Sequence, residues 1–210
     1  MSLVITIGRQ YGAAGIETGK KIAEILGIKF YDKELVEIAA EKSNLSKDAL
    51  DSADERATNS FLYSVVSGNC NMRGLGLPAQ YSMPINDKLF IAQTEVIKEI
   101  AKEDCVIVGR CADYALEHEE NVDVLSVFIY ASQEYRIQHV MNEMEITRVK
   151  ARDAIVRADK RRRHYYEYYT GKDWGVMTNY NMCLDVEKIG IDNVAAIVAD
   201  CAAKMKSGYT

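Results

Sequence analysis

A β-branched run, Val4-Ile-Thr-Ile7, empties into a loop carrying Gly8, Gly12 and Gly15. An apolar series then follows at Ile16, Ile22, Ala23 and Leu26 before Gly27. The run has the composition of a buried strand. The apolar series falls on one helical face, and Gly27 stops it. Strand, glycine loop and helix in that order aim unpaired backbone N–H groups and a helix N-terminus at one point. The ligand such a point attracts is an anion, most often phosphate. The chain therefore reads as a nucleotide-binding α/β protein, with an ordinary strand-to-helix turn as the plain alternative.

The familiar phosphate-loop pattern, Gly-x-x-x-x-Gly-Lys-[Ser/Thr], is not met. Gly19-Lys20 supplies its centre, but Ala14 stands at the first glycine and Lys21 at the hydroxyl. That pair also falls about one turn inside the helix, where the backbone is already hydrogen-bonded. Gly8, Gly12 and Gly15 are the better cradle, without the customary lysine.

With 210 residues, 48% of them hydrophobic, the chain can bury one sizeable core, with room for a small appendage. Its net charge of −5 gives nucleic-acid binding no general support. Five cysteines, odd in number and without Cys-x-x-Cys spacing, point to a reduced cytoplasmic protein with no structural zinc. No apolar run approaches membrane-spanning length, and the first residues lack a signal-peptide pattern.

Further along, 28–31 reads as a short strand ended by Asp32, with helices over 33–41 and 46–54. Both prolines, Pro78 and Pro84, fall among glycines in 67–88, an aperiodic stretch that suggests a flap over a pocket or a plain connector. An amphipathic helix covers 87–103, and it could face a partner subunit as well as its own sheet, so a homodimer stays open. Strands at 105–108 and 124–129, helices at 112–117, 132–142 and 147–170, a last strand at 180–186 and a closing helix at 194–204 complete the pattern. Apolar strands alternating with helices imply parallel β-α-β units and a three-layer α/β/α sheet.

In such sheets ligands lie beyond the carboxyl ends of the strands. Those ends carry Gly8-Arg9, Tyr31-Asp32, Gly109-Arg110 and Tyr130-Ala131. Arg110 suits a phosphate or base-edge contact because its planar fork holds two acceptors; an ion pair with Asp113 is the structural alternative. Asp32 is explained equally well as a helix cap. The basic segment 157–163 places Arg157, Arg161 and Arg162 within about a turn of one another, near one helix face. It could supply the positive charge that phosphoryl transfer demands, or lie on a solvated surface. His118, His139 and His164 form no cluster, and Trp174 is expected to anchor the end of the long helix.

These residues resemble the cytidylate-kinase-like branch of the P-loop nucleoside-monophosphate (NMP) kinases. The likeness is carried by Ile7-Gly-Arg-Gln-Tyr-Gly12, Phe30-Tyr-Asp-Lys-Glu-Leu35, Ile107-Val-Gly-Arg110 and Ala112-Asp-Tyr114. It continues in Val127-Phe-Ile-Tyr-Ala131, Arg136, Asp159 with Arg162, Tyr165-Tyr166, Thr170-Gly-Lys-Asp-Trp174 and Tyr180. The resemblance implies one P-loop kinase-like domain, 1–210, with an NMP-binding or flap region near 30–88 and a helical lid near 147–175. It implies ATP and Mg²⁺, with Gly8, Arg9, Gln10, Tyr11, Gly12, Ala13, Ala14 and Gly15 as the triphosphate cradle. Asp32, Arg110 and Asp113 would serve the acceptor, and Arg157, Arg162 and Arg136 would be the catalytic cations.

The loop departs from the family pattern. It reads Gly12-Ala-Ala-Gly-Ile16 where cytidylate-kinase-like members usually read Gly-Ser-Gly-Gly-Arg, and Gly15 stands where true cytidylate kinases carry lysine. Arg9, Lys20 or a lid arginine could compensate. Thr18 and Glu17 are candidates to help hold magnesium, although neither sits at the usual position. The expected activity is transfer of the ATP γ-phosphate to a nucleoside monophosphate or similar small phosphorylated acceptor. The alternative is a nucleotide- or anion-binding protein that kept the fold without turnover. Single-strand nucleic-acid binding through 157–169 is disfavoured by the net acidity.

Overall fold

The computed structural model describes residues 1–32 and 85–208, together with Leu35 and Ile38. The helix expected at 46–54, nearly all of that at 33–41 and residues 67–84 of the expected flap lie outside the described residues.

In chain order the elements are β1 (Ser2–Arg9), α1 (Gly15–Leu26), β2 (Lys29–Tyr31), α2 (Ile85–Ile100), β3 (Cys105–Val108), α3 (Ala112–Ala115) and β4 (Val122–Tyr130). There follow α4 (Gln133–Met144), α5 (Arg148–Thr170), a 3₁₀ turn (Met177–Asn179), β5 (Met182–Asp185), α6 (Val186–Ile189) and α7 (Ile191–Lys206). Helix α2 begins at Ile85, inside the stretch expected to be irregular. Its Asn86, Asp87 and Leu89 are buried, so packing overrides the weak local pattern.

The five strands form one parallel sheet in the order β2-β3-β1-β4-β5. Val4 pairs with Cys105 on one side and Val124 on the other, which places β1 at the centre. Both faces are covered, as parallel sheets require. Leu3, Ile5 and Ile7 pack with Ile22 and Ala23 of α1 and Val194, Ala195 and Val198 of α7. Val4, Cys105 and Ile107 point the other way, onto Leu89, Val96 and Ile97 of α2, Leu116 and Leu35. The strands therefore read as unbroken apolar runs in sequence.

Local chemistry ends each helix where the sheet needs a turn. Gly27 closes α1 in the left-handed region (φ 65°) and returns its N–H to Ala23 and Glu24. The Ser132 hydroxyl caps α4 by accepting from the Tyr135 N–H at 3.2 Å. Among the described residues no helix is long and apolar enough to cross a membrane.

Candidate functional site

The site grows from the carboxyl end of β1. Gln10 continues the ladder by donating to the Ile129 carbonyl at 3.0 Å, and its side chain accepts from the Ala131 N–H at 3.3 Å. The chain then turns through Gly12 (φ 77°) and Ala14 (φ 52°) into α1. Gly12 passes so close to α4 that a Cβ there would lie 2.8 Å from Val140 Cγ2 and 2.9 Å from the Arg136 carbonyl. Ala14 holds a left-handed conformation that costs a non-glycine residue about 1 kcal/mol or more. It caps α1 with backbone alone, without a side-chain hydrogen bond to the helix end. Among the described residues the N–H groups of Gly12, Ala14, Gly15, Ile16 and Glu17 donate to no acceptor. Open amides at a helix N-terminus make an anion cradle.

A cleft of about 530 Å³ lies in front of these amides. Lys20, Arg110, Arg161 and Arg162 line it as well, with Glu17, Asp32 and Glu143 as carboxylates. Arg110 sits on a strained turn: Gly109, Arg110 and Cys111 have φ of 78°, 58° and 53° in succession. Two consecutive non-glycine residues in that region are paid for elsewhere, and the turn holds Arg110, 8% exposed, against the rim of the sheet.

Beside the cleft is a smaller cavity of about 40 Å³, lined by Thr6, Asp113, Tyr166, Trp174 and Tyr180; Arg9, Arg110 and Arg162 line both spaces. The Tyr166 hydroxyl donates to Asp113 Oδ2 at 2.7 Å. Burial pushes the Asp113 carboxyl above its ordinary range, and this hydrogen bond partly opposes the shift. Burial, reinforced by Asp113, also pushes the Tyr166 and Tyr180 phenols up, so they stay protonated donors. Asp113 is thus bonded to a tyrosine. Trp174 meets Phe128 edge-on at 5.5 Å and anchors the segment after α5, as expected.

Helix α5 is tied to the loop by a carboxylate. Asp159 accepts from the Tyr11 N–H at 2.8 Å and pairs with Arg136 at 2.6 Å. Arg136 also donates to the Tyr11 carbonyl at 3.4 Å, so it braces loop, α4 and α5 together. Arg162 donates to the Arg9 carbonyl at 3.4 Å and lies 5.3 Å from the centre of the Tyr11 ring. Arg157 is exposed and lines neither space. The expectation that it shares a face with Arg162 fails on helix geometry, because five residues at 3.6 per turn separate them by about 140°. Arg161 does line the cleft.

The family model for the cytidylate kinase-like family matches residues 4–188. The chain belongs to that family. An uncharacterized protein from Eubacterium ventriosum ATCC 27560 is similar in structure, with a TM-score of 0.69 at 24% identity, covering 96% of this chain and 99% of the other. Shikimate kinase from Bacteroides thetaiotaomicron aligns with a TM-score of 0.53 at 14% identity, over 96% and 98% of the two chains. A gluconokinase from Sinorhizobium meliloti 1021 aligns with a TM-score of 0.50 at 13% identity, over 99% and 97%. At these identities the likeness shows the fold, that of the P-loop kinases. No curated protein matches the chain.

Within that fold, the residues expected to hold magnesium separate. The Thr18 hydroxyl is buried and bonded back to the Ala14 carbonyl at 2.8 Å, whereas Glu17 lines the cleft. Among the described residues no three His, Cys, Asp or Glu side chains converge. Mg²⁺ in kinase sites takes one or two carboxylates plus phosphates and water, and Glu17 is the expected ligand whose carboxylate reaches the cleft wall. Asp32 stands 3.9 Å from Arg9, and its backbone carbonyl accepts from the Leu35 N–H at 3.4 Å.

Sequence reading missed the polar array behind the smaller cavity. Tyr169 donates to Asp87 at 3.0 Å and Tyr165 to Gln93 at 3.1 Å. The i, i+4 spacing of Tyr165 and Tyr169 signalled one buried helical stripe; nothing local pointed to their partners on α2.

Proposed function

We propose that this protein is an ATP-dependent phosphotransferase that moves the γ-phosphate onto a nucleoside monophosphate or a similar small phosphorylated acceptor. The carrying observation is the uncapped start of α1, whose open amides face a cleft shared with Arg9, Arg110 and Arg162. Family membership and the kinase fold support the same reading.

ATP with Mg²⁺ would supply the transferable phosphoryl group and additional positive charge, with Glu17 on the cleft wall to meet the metal and Asp32 on the acceptor side. The loop amides from Gly12 to Glu17 would hold donor phosphates without reorganising, because the fold has already aimed them. Arg162, reaching in from α5, would meet charge that grows on the passing phosphoryl group. Arg110, held on its strained turn, would fix the acceptor phosphate, and Asp113 with Tyr166 would bind the rest of the acceptor. Arg136 and Asp159 would position the loop, and Arg157 would stay on the exposed face of α5. The protein would work as one kinase-like domain in a reducing cytoplasm, which suits the four described cysteines, all free thiols.

The test is transfer of radiolabelled γ-phosphate from Mg·ATP across a panel of mononucleotides. Label appearing on one acceptor supports the enzyme. The second reading, a nucleotide or anion binder without turnover, is favoured by Gly15 in the place of the loop lysine. It wins if ATP raises the melting temperature and no acceptor is ever labelled.

A further inference from the structure

The loop lysine is missing from the helix, yet the space it would fill is occupied. A Cβ built on Gly15 would fall 2.6 Å from Arg9 Cβ and 2.8 Å from Arg9 Cγ. No real side chain tolerates that contact with the rigid root of another. Beyond Gly15 the arginine continues to Gly109 on the neighbouring strand end, where a Cβ would collide with Nη1. Gly109 is held there by its N–H to the Ile7 carbonyl at 3.0 Å. The Arg9 side chain thus runs from the end of β1, over the first residue of α1, to the end of β3. Two glycines make its channel, and its side chain is 11% exposed.

We propose that Arg9 is the phosphate-binding cation of this loop, delivered from the strand instead of the helix, and that it grips the terminal phosphates of a nucleoside triphosphate. The assignment rests on the phosphotransferase reading above. Arg9 lines both the large cleft and the smaller cavity, so it stands between the donor and acceptor spaces, where a transferring phosphoryl group passes. Its planar fork can hold two phosphate oxygens, which a lysine ammonium cannot do with fixed geometry. The Asp32 carboxylate at 3.9 Å balances its charge at a separation longer than a tight ion pair. Gly15 is then required by a close approach, since any side chain there would displace the arginine stem.

The experiment measures association of Mg·ATP, Mg·ADP and AMP by titration calorimetry, with the melting temperature of each unliganded protein as a folding check. Arg9→Met keeps the apolar stem and removes the charge. It should weaken ATP by about tenfold or more, the scale of a charge-assisted contact, weaken ADP less, and leave AMP and the melting temperature unchanged. The double variant Arg9→Gly with Gly15→Lys moves the cation to the helix and should regain most of the ATP affinity. If Arg9→Met is unstable, the double variant alone decides: recovery supports the assignment and failure of a folded double variant overturns it. Equal ATP affinity in Arg9→Met and the unaltered protein overturns the role of Arg9 and leaves the phosphotransferase reading standing. No ATP association by the unaltered protein overturns that reading, and the assignment with it.

Discussion

Asp159, in the middle of α5, accepts a hydrogen bond from the backbone N–H of Tyr11 at 2.8 Å, joining residues 148 apart in sequence. Its other oxygen pairs with Arg136 at 2.6 Å. One carboxylate thereby fixes the helix to the loop and pairs a guanidinium whose side chain is only 11% exposed. Truncation by Asp159→Ala strands that charge. Breaking a buried pair costs about 3–5 kcal/mol, and partial exposure lowers the expectation here to about 2 kcal/mol. A thermal melt should show a fall of about 4–8 °C for a chain of this size, with faster amide exchange at Tyr11. A shift under about 1 °C means the pair is an ordinary surface contact.

Gly12→Ala should destabilise by about 2–4 kcal/mol, because the new methyl meets Val140 and the Arg136 backbone at a φ of 77°. Gly27→Ala is the matched control: its φ is 65°, but nothing lies within 4 Å of the new Cβ. That variant should lose only about 1 kcal/mol. Urea unfolding of both measures the difference, and equal losses would show that packing on α4 is unimportant.

Asp113 makes a pH prediction. Its carboxyl is raised above 3.8 in the fold, first by burial. Between 3.8 and the raised value the native state therefore holds more protons than the unfolded chain. Its contribution to stability is complete below 3.8 and is lost as pH rises through the native value. Asp113→Asn removes this dependence. The melting temperature of the unaltered protein minus that of the variant should fall as pH rises above 3.8. Parallel curves would dismiss the assignment. Tyr166→Phe deletes the opposing hydrogen bond and should move the same fall to higher pH.

Arg162→Ala should lower phosphoryl transfer by about 10²–10³-fold, the scale of one lost electrostatic donor. Arg162 also lies over the Tyr11 ring, 5.3 Å from its centre, a contact worth about 0.5–1 kcal/mol at a partly exposed site. The melting temperature should therefore fall by only a few degrees. Steady-state rates beside a thermal melt separate the two effects, and an unchanged rate would remove Arg162 from the site.

Local pattern alone determined most of the architecture of this protein. Period and glycine placement located β1, α1, β3 and α5 to within a few residues, and the apolar strands announced a parallel sheet covered on both faces. They also put Arg9, Asp32 and Arg110 on one rim, since strand ends share a rim whatever their order. Only the tertiary structure decided which side chains meet there. It placed β3 and β4 on either side of β1, ran Arg9 across Gly15 to Gly109, turned Arg157 outward and gave Asp159 to Tyr11. Periodicity reports which face of an element is buried and is silent about its neighbour, because contacts between distant segments depend on how the packed layers align.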